Sequence, residues 1–187
     1  MNILLHGAYV ETDRPNPLGV YGRTKLAGDE ALLASGCDAS ILRVSWVYGM
    51  HGGHFLPTMQ RLMAVRDSLN IVDDQIGAPT WCRRIAKATG QAQTKMSVPD
   101  ADKTTLSGIY HYAPSGHTSW YGFATAIREA RGYDCTLKPI TTTKYPTPAK
   151  RPASSRMSSE KLQHTFGIVP NEWVQALRLV SRVDIFS

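Results

Sequence analysis

The sequence predicts an α/β protein built on a mostly parallel sheet. Strand-like and helix-like segments alternate along its 187 residues, which is the order that parallel sheets require. The longest strand-like segment, residues 39–48, is rich in β-branched and apolar residues, as expected for a mostly buried strand of a parallel sheet. Hydrophobic residues make up 42% and charged residues 19%, and no apolar run approaches the roughly 20 residues that cross a bilayer. We therefore expect one globular domain without a membrane segment.

Six segments show the spacing of apolar residues that is typical of helices. They are residues 21–35, 54–65, 81–95, 119–131, 158–166 and 172–183. Gly36 supplies a C-terminal stop for the first of them. Thr118 or Ser119 provides a capping hydroxyl for the fourth. The expected apolar face of that fourth helix consists of Phe123, Ala126, Ile127 and Ala130.

Four shorter apolar segments are expected to be strands. They are residues 1–5, 39–48, 69–72 and 108–113. Residues 73–80 and 97–105 are rich in turn-forming and polar residues and are predicted to be loops. Four prolines lie between residues 137 and 155, and they exclude a continuous helix or a central strand there. That stretch is expected to be an extended or disordered loop.

The chain carries 21 lysines and arginines against 15 aspartates and glutamates, a net charge of +6. This charge favours a polyanionic partner, either nucleic acid or a small molecule that bears a diphosphate. The sequence shows no helix-turn-helix spacing, zinc finger or RNP-type strand, so nucleic acid is the less favoured partner. Cys37, Cys82 and Cys135 show no CxxC spacing, which indicates reduced cysteines in a cytoplasmic protein.

Residues 21–30, YGRTKLAGDE, place Tyr21 and Lys25 four positions apart at the start of a predicted helix. Side chains at this spacing lie on one helix face, about one turn apart. An adjacent ammonium favours the phenolate form of a tyrosine, so such a pair can serve as an acid or a base. This chemistry suits carbonyl reduction, in which a nicotinamide delivers hydride and a tyrosine protonates the developing alkoxide. On spacing alone, a solvated helix face is the simpler alternative.

The first predicted strand lacks the glycine-rich turn that usually follows such a strand in dinucleotide-binding proteins. MNILLHGAYV contains a single glycine, Gly7, so the G-x-G-x-x-G cradle for a pyrophosphate is missing there. Only about three or four strands are expected in all, which is few for a complete doubly wound sheet.

The segment PNPLGVYGRTKLAGDE resembles the active-site region of extended short-chain dehydrogenase/reductases. The resemblance continues through RVSWVYG, GGHFLPTM, VDDQIGAPT, GIYHYA and YPTPAKRPASSRMSSEKL. This order of motifs is similar to that of one family, the dTDP-4-dehydrorhamnose reductases, over about residues 9–185. The resemblance implies a partial Rossmann-like parallel sheet with a small C-terminal α/β substrate-binding region. It divides the chain into a remnant N-terminal strand, residues 1–10, and a catalytic-helix and substrate-binding portion, residues 11–187.

The resemblance also implies two catalytic residues that contact the cofactor. Tyr21 would give a proton to the C4 keto group of dTDP-4-dehydrorhamnose, which yields dTDP-rhamnose. Lys25 would bind the nicotinamide ribose of NADPH or NADH and favour the phenolate of Tyr21. Trp46 matches a tryptophan that contacts the sugar nucleotide, and core packing at a strand end is the alternative reading of that residue.

Three further positions are expected to bind substrate by the same resemblance. His54 stands where the family commonly has asparagine, and a histidine cannot present both an amide donor and a carbonyl acceptor. Gln75 lies in a loop that the resemblance places beside the active site, with an ordinary turn as the alternative. Arg151 lies in a proline-stiffened loop, from which a guanidinium can bind phosphate in a bidentate manner. The metal site is unknown, and dependence on Mg²⁺ is left open.

Much of the nucleotide-binding half that family members carry before the catalytic helix has no counterpart in the sequence. We therefore expect the chain alone to be inactive and poorly stable as a monomer, and we leave a homodimer open. Three alternatives stand beside the reductase. They are a non-catalytic sugar-nucleotide-binding remnant, a partner protein similar to the regulatory subunit of methionine adenosyltransferase, and a small basic nucleic-acid-binding domain.

Overall fold

The computed structural model describes residues 7–181, and within that range it contains seven α-helices and one 3₁₀-helix. The α-helices are α1 (Val20–Ala34), α2 (Phe55–Met63), α3 (Cys82–Met96), α4 (Lys103–Leu106), α5 (Trp120–Arg131), α6 (Glu160–Phe166) and α7 (Trp173–Ser181). The 3₁₀-helix is Thr142–Lys144. All six predicted helices are confirmed within this range. The predicted strand at residues 1–5, and the last two residues of the predicted helix at 172–183, lie outside the described residues.

Eight strands form four pairs in the described part of the chain. The strands are β1 (Ser40–Val44), β2 (Val47–Tyr48), β3 (Ser68–Val72), β4 (Ile76–Gly77), β5 (Thr80–Trp81), β6 (Gly108–Tyr112), β7 (Thr118–Ser119) and β8 (Thr136–Ile140). The pairs β1–β6, β2–β5 and β3–β8 are parallel, and β4–β7 is antiparallel. The predicted α/β class with a mostly parallel arrangement is therefore confirmed.

Some predicted boundaries were wrong, and each error has a physical reason. The single strand expected at residues 39–48 is interrupted between β1 and β2, where Trp46 has a φ of 49°. Part of the proline-containing stretch expected to be a loop is β8, which pairs with β3. Among the described residues β8 has no second neighbour, and an edge strand tolerates Pro139 because no ladder partner needs its missing N–H.

The two predicted loops also contain short regular elements. Residues 73–80 include β4 and β5, which are only two residues long and therefore give no periodic signal. Residues 97–105 include most of α4. The Asp102 carboxylate caps that helix, because it accepts hydrogen bonds from the Thr105 N–H at 3.2 Å and the Thr105 hydroxyl at 2.6 Å.

The core consists of two clusters of buried apolar side chains. The larger one lies among α2, α5, α7 and the strands beside them, and its fully buried members include Tyr48, Leu56, Phe123, Ile127, Leu177 and Val180. The smaller cluster lies under α3 and α6, and it contains Ala88, Tyr110, Tyr112, Leu162 and Ile168. The fourth predicted helix face is correct at Phe123 and Ile127, but Ala124 is buried in place of Ala130. The hydroxyl of Ser119 caps that helix by accepting from the Gly122 N–H at 2.9 Å, as predicted.

Helix α1 contributes no buried residue to either cluster. Its inner face is half-buried at Gly22, Leu26 and Asp29, and an ion pair of 2.9 Å joins the Asp29 carboxylate to Arg43 of β1. Hydrophobic side chains elsewhere on α1 are exposed, most strongly Tyr21 at 77% and Val20 at 67%. The helix therefore lies on the surface of the described structure.

His111 is a buried polar residue in the strand β6, with only 4% of its surface exposed. Its ring Nδ1 lies 3.2 Å from the carbonyl oxygen of Tyr9, and its backbone N–H donates to the Glu11 carboxylate at 2.7 Å. Burial lowers the pKa of the His111 imidazole, and the nearby Glu11 carboxylate partly opposes that shift.

We expect the free energy of unfolding to fall as the pH is lowered below about 6.5, the ordinary pKa of histidine. The folded protein binds the proton less readily than the unfolded chain, so proton uptake on acidification favours the unfolded state. Urea unfolding between pH 5 and 8 measures the slope, which is at most about 1.4 kcal/mol per pH unit for one group. His111→Asn should flatten the curve, whereas His54→Asn at an exposed site should not. Parallel curves for His111→Asn and the wild type would contradict this assignment.

Candidate functional site

Two tryptophans form the centre of the candidate site. Trp46 stacks on Trp120 with ring centroids 3.7 Å apart and planes inclined by 5°. The backbone of Trp46 is in the left-handed region, which is uncommon for a bulky residue. Such a conformation persists only where neighbouring residues hold it in place. Phe55 packs against the other indole, with its ring centroid 4.7 Å from that of Trp120. Trp46 itself is only partly buried, so part of its ring is available to a ligand.

The backbone of Gly77 in β4 approaches the Trp46 indole. A β-carbon placed on Gly77 would lie 2.6 Å from Trp46 Nε1 and 2.7 Å from the hydroxyl of Ser155. Both distances are far shorter than a van der Waals contact, so only glycine fits at this position. The ring of Trp46 is thus confined by Trp120 and by the Gly77 backbone.

The side chain of Gln75 lies behind this aromatic pair and is 7% exposed. Its carbonyl oxygen accepts a hydrogen bond from the Trp120 indole N–H at 3.1 Å. Its amide nitrogen donates to the Thr142 hydroxyl at 2.9 Å. Gln75 was predicted to touch substrate or cofactor, and the structure directs both ends of its amide toward protein groups.

The chain that carries Arg151 runs beside β4. The Ile76 N–H donates to the Ala153 carbonyl at 2.8 Å, and the Ser155 N–H donates to the Ile76 carbonyl at 2.9 Å. Arg151 itself is exposed, and within residues 7–181 no hydrogen bond or ion pair engages its guanidinium. Among the described residues, Arg151 is therefore a cation without a carboxylate partner, two residues before the segment that is hydrogen-bonded to β4.

The 3₁₀-helix anchors the start of the same loop. Asp74 accepts hydrogen bonds from the Thr142 N–H at 2.9 Å and from the Thr142 hydroxyl at 2.6 Å. These hydrogen bonds hold the pKa of the Asp74 carboxyl below its ordinary value. The loop between Thr142 and Ala153 is therefore fixed to the β4 region at both of its ends.

His54 occupies the N-cap position of α2, directly before Phe55. Its side chain is exposed and makes no capping hydrogen bond. The ring folds back over Gly52, where an added β-carbon would lie 3.2 Å from His54 Nε2. Because Phe55 packs on Trp120, His54 lies near the aromatic pair.

Tyr21 and Lys25 lie side by side on α1, with the Lys25 ammonium 5.6 Å from the centroid of the Tyr21 ring. The predicted adjacency of the two groups is confirmed. Tyr21 is nevertheless 77% exposed, so no cleft encloses the phenol. Among the described residues, no hydrogen bond, ion pair or ring contact joins this pair to Trp46, Gln75 or Arg151. Within residues 7–181 the structure links Trp46 to Gln75 through Trp120, and Tyr21 and Lys25 lie outside that network of contacts.

The sequence analysis missed three residues of the site, Trp120, Thr142 and Asp74. Trp120 was assigned only to a helix and was not included in its predicted apolar face, although it packs against the larger core cluster. Its hydrogen-bond partner Gln75 is 45 positions away in the chain, and Gln75 and Thr142 are 67 positions apart. A tryptophan directly after the helix cap Ser119 was the one local signal, because an indole N–H near a helix start needs a polar partner.

Residues 7–181 contain neither a candidate metal site nor a candidate membrane-spanning helix. Between residues 7 and 181, no three histidine, cysteine, aspartate or glutamate side chains gather in the way that a metal ion needs, so the structure gives no support for Mg²⁺. The same residues include no helix with the length and hydrophobicity to span a bilayer. Cys37, Cys82 and Cys135 are free thiols, as predicted.

Parallel strand pairs followed by helices, with an aromatic site beside them, define an α/β protein of the Rossmann-like class. The family described as RmlD substrate binding domain matches residues 5–184. The chain therefore belongs to this family, which confirms the predicted resemblance.

Individual relatives agree with this assignment. The chain is 41% identical over 187 residues to a dTDP-4-dehydrorhamnose reductase of Burkholderia thailandensis, a match that covers 96% of this chain and 62% of the relative. The crystal structure of a dTDP-4-dehydrorhamnose reductase from Clostridium acetobutylicum superimposes with a TM-score of 0.85 at 33% identity, covering 94% of this chain and 59% of that one.

A third comparison concerns a structure that contains a cofactor. The dTDP-4-dehydrorhamnose reductase of Bacillus anthracis in complex with NADP gives a TM-score of 0.84 at 28% identity, covering 92% of this chain and 58% of that chain. The chain thus spans about three fifths of the length of these relatives.

We expect Gly77→Ala to lower the free energy of unfolding by about 1–3 kcal/mol, because the added methyl group overlaps with the Trp46 ring. Gly90→Ala is the matched control. No atom lies within 4 Å of a β-carbon at Gly90, which is inside α3, so this change should stabilise the protein by about 0.5–1 kcal/mol. Urea unfolding of both variants measures the difference. Equal stability of the two variants would show that Gly77 does not confine the indole.

Proposed function

We propose that this chain carries the sugar-nucleotide-binding surface and the proton-donating pair of a dTDP-4-dehydrorhamnose reductase. The observation that carries the proposal is the partly exposed Trp46 ring, fixed by Trp120 beside a loop that presents the unpaired Arg151. The family membership and the names of the relatives supply the substrate class.

The physical chemistry of this surface suits a sugar nucleotide. An indole offers a flat, rigid apolar face on which a base or a sugar ring can pack at little entropic cost. A guanidinium binds the oxygens of a diphosphate in a bidentate geometry. The net charge of +6 adds a long-range attraction for such an anion. Trp46, His54 and Arg151 are therefore the proposed ligand contacts.

Tyr21 and Lys25 are the proposed catalytic pair. In the reaction, NADPH supplies a hydride to C4 of the keto-sugar. The Tyr21 hydroxyl gives its proton to the developing C4 alkoxide, and the Lys25 ammonium stabilises the phenolate that is left behind. The Lys25 ammonium lies 5.6 Å from the centroid of the Tyr21 ring, so both groups lie on one face of α1.

The fit of the nicotinamide cofactor to the described residues is partial. Tyr21 and Lys25 suit its nicotinamide ribose end, as the family resemblance implies. The sequence contains no G-x-G-x-x-G turn. These 187 residues therefore do not supply the usual cradle for the pyrophosphate of the cofactor. The phenol is also open to water, which weakens the electrostatic coupling on which proton transfer depends.

A second candidate is a non-catalytic sugar-nucleotide-binding protein. The proposed substrate residue Trp46 is confined by packed neighbours, whereas the proposed proton donor Tyr21 is 77% exposed. This difference favours binding without catalysis. Such a protein would use the Trp46 and Arg151 surface and would not need the cofactor. A homodimer stays a prediction for either candidate.

Calorimetric titration with dTDP-rhamnose, and separately with NADPH, tests both candidates. We expect the chain to bind dTDP-rhamnose and to show no oxidation of NADPH with dTDP-4-dehydrorhamnose, because the phenol is not enclosed. Binding of both ligands supports the reductase, and binding of dTDP-rhamnose alone supports the second candidate. Absence of dTDP-rhamnose binding would contradict both, and measurable turnover would overturn the expectation of inactivity.

The role of Tyr21 is best measured in a full-length chimera. Residues 11–187 would replace the matching part of the B. thailandensis relative, which supplies the remainder of its own chain. In that chimera we expect Tyr21→Phe to lower kcat by about 10²–10⁴-fold, the usual contribution of a general acid. Tyr133→Phe, at a half-buried tyrosine that follows α5, is the control and should keep full activity. A chimera that tolerates Tyr21→Phe would remove Tyr21 from the mechanism.

A further inference from the structure

We infer that Gln75 is a positioning residue that orients the Trp46 ring through Trp120 and links this ring to the Arg151 loop, rather than a residue that contacts the ligand. The inference rests on the proposed function for the identity of the ligand. The contacts that support it lie entirely within the described residues and can be tested without a ligand.

The first contact is the hydrogen bond between Gln75 and Trp120. Stacking holds two aromatic planes together but leaves each ring able to slide and rotate within its plane. Trp120 has one hydrogen-bond donor, its indole N–H, and this group points at the Gln75 carbonyl oxygen at 3.1 Å. The hydrogen bond therefore fixes the in-plane orientation that stacking leaves free.

The second contact determines which way the Gln75 amide faces. The Thr142 hydroxyl gives its single proton to the Asp74 carboxylate at 2.6 Å. Toward Gln75 that hydroxyl can therefore only accept, so the NH₂ end of the amide must face Thr142. The carbonyl end is then turned to Trp120, whose N–H can only donate. Both neighbours select the same orientation, and a flipped amide would lose both hydrogen bonds.

The third contact transmits the orientation to Trp46. The indole of Trp46 lies 3.7 Å from that of Trp120 and is confined elsewhere by the backbone of Gly77. Its left-handed backbone conformation has no local cause in the sequence, because tryptophan does not favour positive φ. A displaced Trp120 would therefore leave Trp46 without the support that holds it there.

The Gln75 amide also connects the Trp46–Trp120 pair to the loop that carries Arg151, the proposed phosphate-binding residue. Thr142 begins the 3₁₀-helix at the start of the loop that contains Arg151, and the loop returns to β4 at Ala153. Gln75 is thus the one side chain among the described residues that is hydrogen-bonded to both Trp120 and Thr142. An ordered Gln75 holds the aromatic face and the start of the Arg151 loop together, which lowers the cost of ordering them on binding.

A double-mutant cycle with dTDP-rhamnose separates positioning from direct contact. We expect Gln75→Met to weaken binding about tenfold in the wild-type background, and by less than about twofold in a Trp46→Ala background. This result would mean that Gln75 acts through Trp46. An equal loss in both backgrounds would show that Gln75 does not act through Trp46, and no loss in the wild-type background would show that Gln75 does not matter. Either outcome overturns the inference.

Trp120→Phe provides a second variant, because it keeps a stacking ring but removes the N–H donor. It should reproduce the loss of affinity of Gln75→Met, and the combined variant should bind no more weakly than either single one. An additive loss would contradict a shared route through the Gln75–Trp120 hydrogen bond. Gln93→Met, at an exposed glutamine on α3, is the matched control and should leave affinity unchanged.

NMR of the ¹⁵N-labelled indole groups tests the same idea without ligand. In Gln75→Met we expect faster exchange of the Trp120 indole proton and a shifted Trp46 indole resonance, whereas Gln93→Met should change neither. An unchanged Trp46 resonance would overturn the inference even if dTDP-rhamnose binds. Failure of the wild-type protein to bind dTDP-rhamnose, with the NMR changes present, would instead refute the proposed function and leave the positioning role of Gln75 standing.

Discussion

The stacking of Trp46 on Trp120 is the contact on which the candidate site depends. It joins the interruption between β1 and β2 to the first residue of α5, and the Gly77 backbone of β4 closes on the same indole. Parallel stacked rings with centroids 3.7 Å apart leave no room for water between them. These separate segments therefore share one apolar contact. Without it, the left-handed backbone at Trp46 would have nothing to offset its conformational cost.

Hydrogen bonds of Gln75, Thr142 and Asp74 fix the orientation of the stacked Trp120 ring. A buried amide without partners costs about 1–3 kcal/mol, so Gln75 is acceptable in this place because Trp120 and Thr142 satisfy both of its ends. The Asp74 carboxylate completes the arrangement by fixing the direction of the Thr142 hydroxyl. Such a network stabilises one arrangement of side chains and penalises alternatives, since any shift leaves a buried donor or acceptor unpaired.

Local features of this structure were predictable from sequence, and long-range ones were not. The six helices, the strand predicted at residues 108–113 and the adjacency of Tyr21 and Lys25 follow from periodicities of two to four residues. The strand β8 escaped prediction because its pairing with β3, and not its proline-containing sequence, makes it a strand. The network of Gln75 joins residues 45 and 67 positions apart, and no short pattern encodes such distances. The family resemblance identified Trp46 but gave no reason for its conformation.

The two parts of the candidate site differ in how completely the chain builds them. Trp46 and its partners are fixed by packing and hydrogen bonds, whereas Tyr21 stands on a helix that buries no residue and is tied to β1 by the ion pair of Asp29 with Arg43. A partly exposed ion pair contributes about 1 kcal/mol or less, and a helix of 15 residues is marginal without tertiary packing. Proton transfer also needs a site from which water is excluded. A surface that encloses Tyr21, the proton donor that we propose, would therefore lie against the outer face of α1 and would stabilise that helix by burying its exposed apolar side chains.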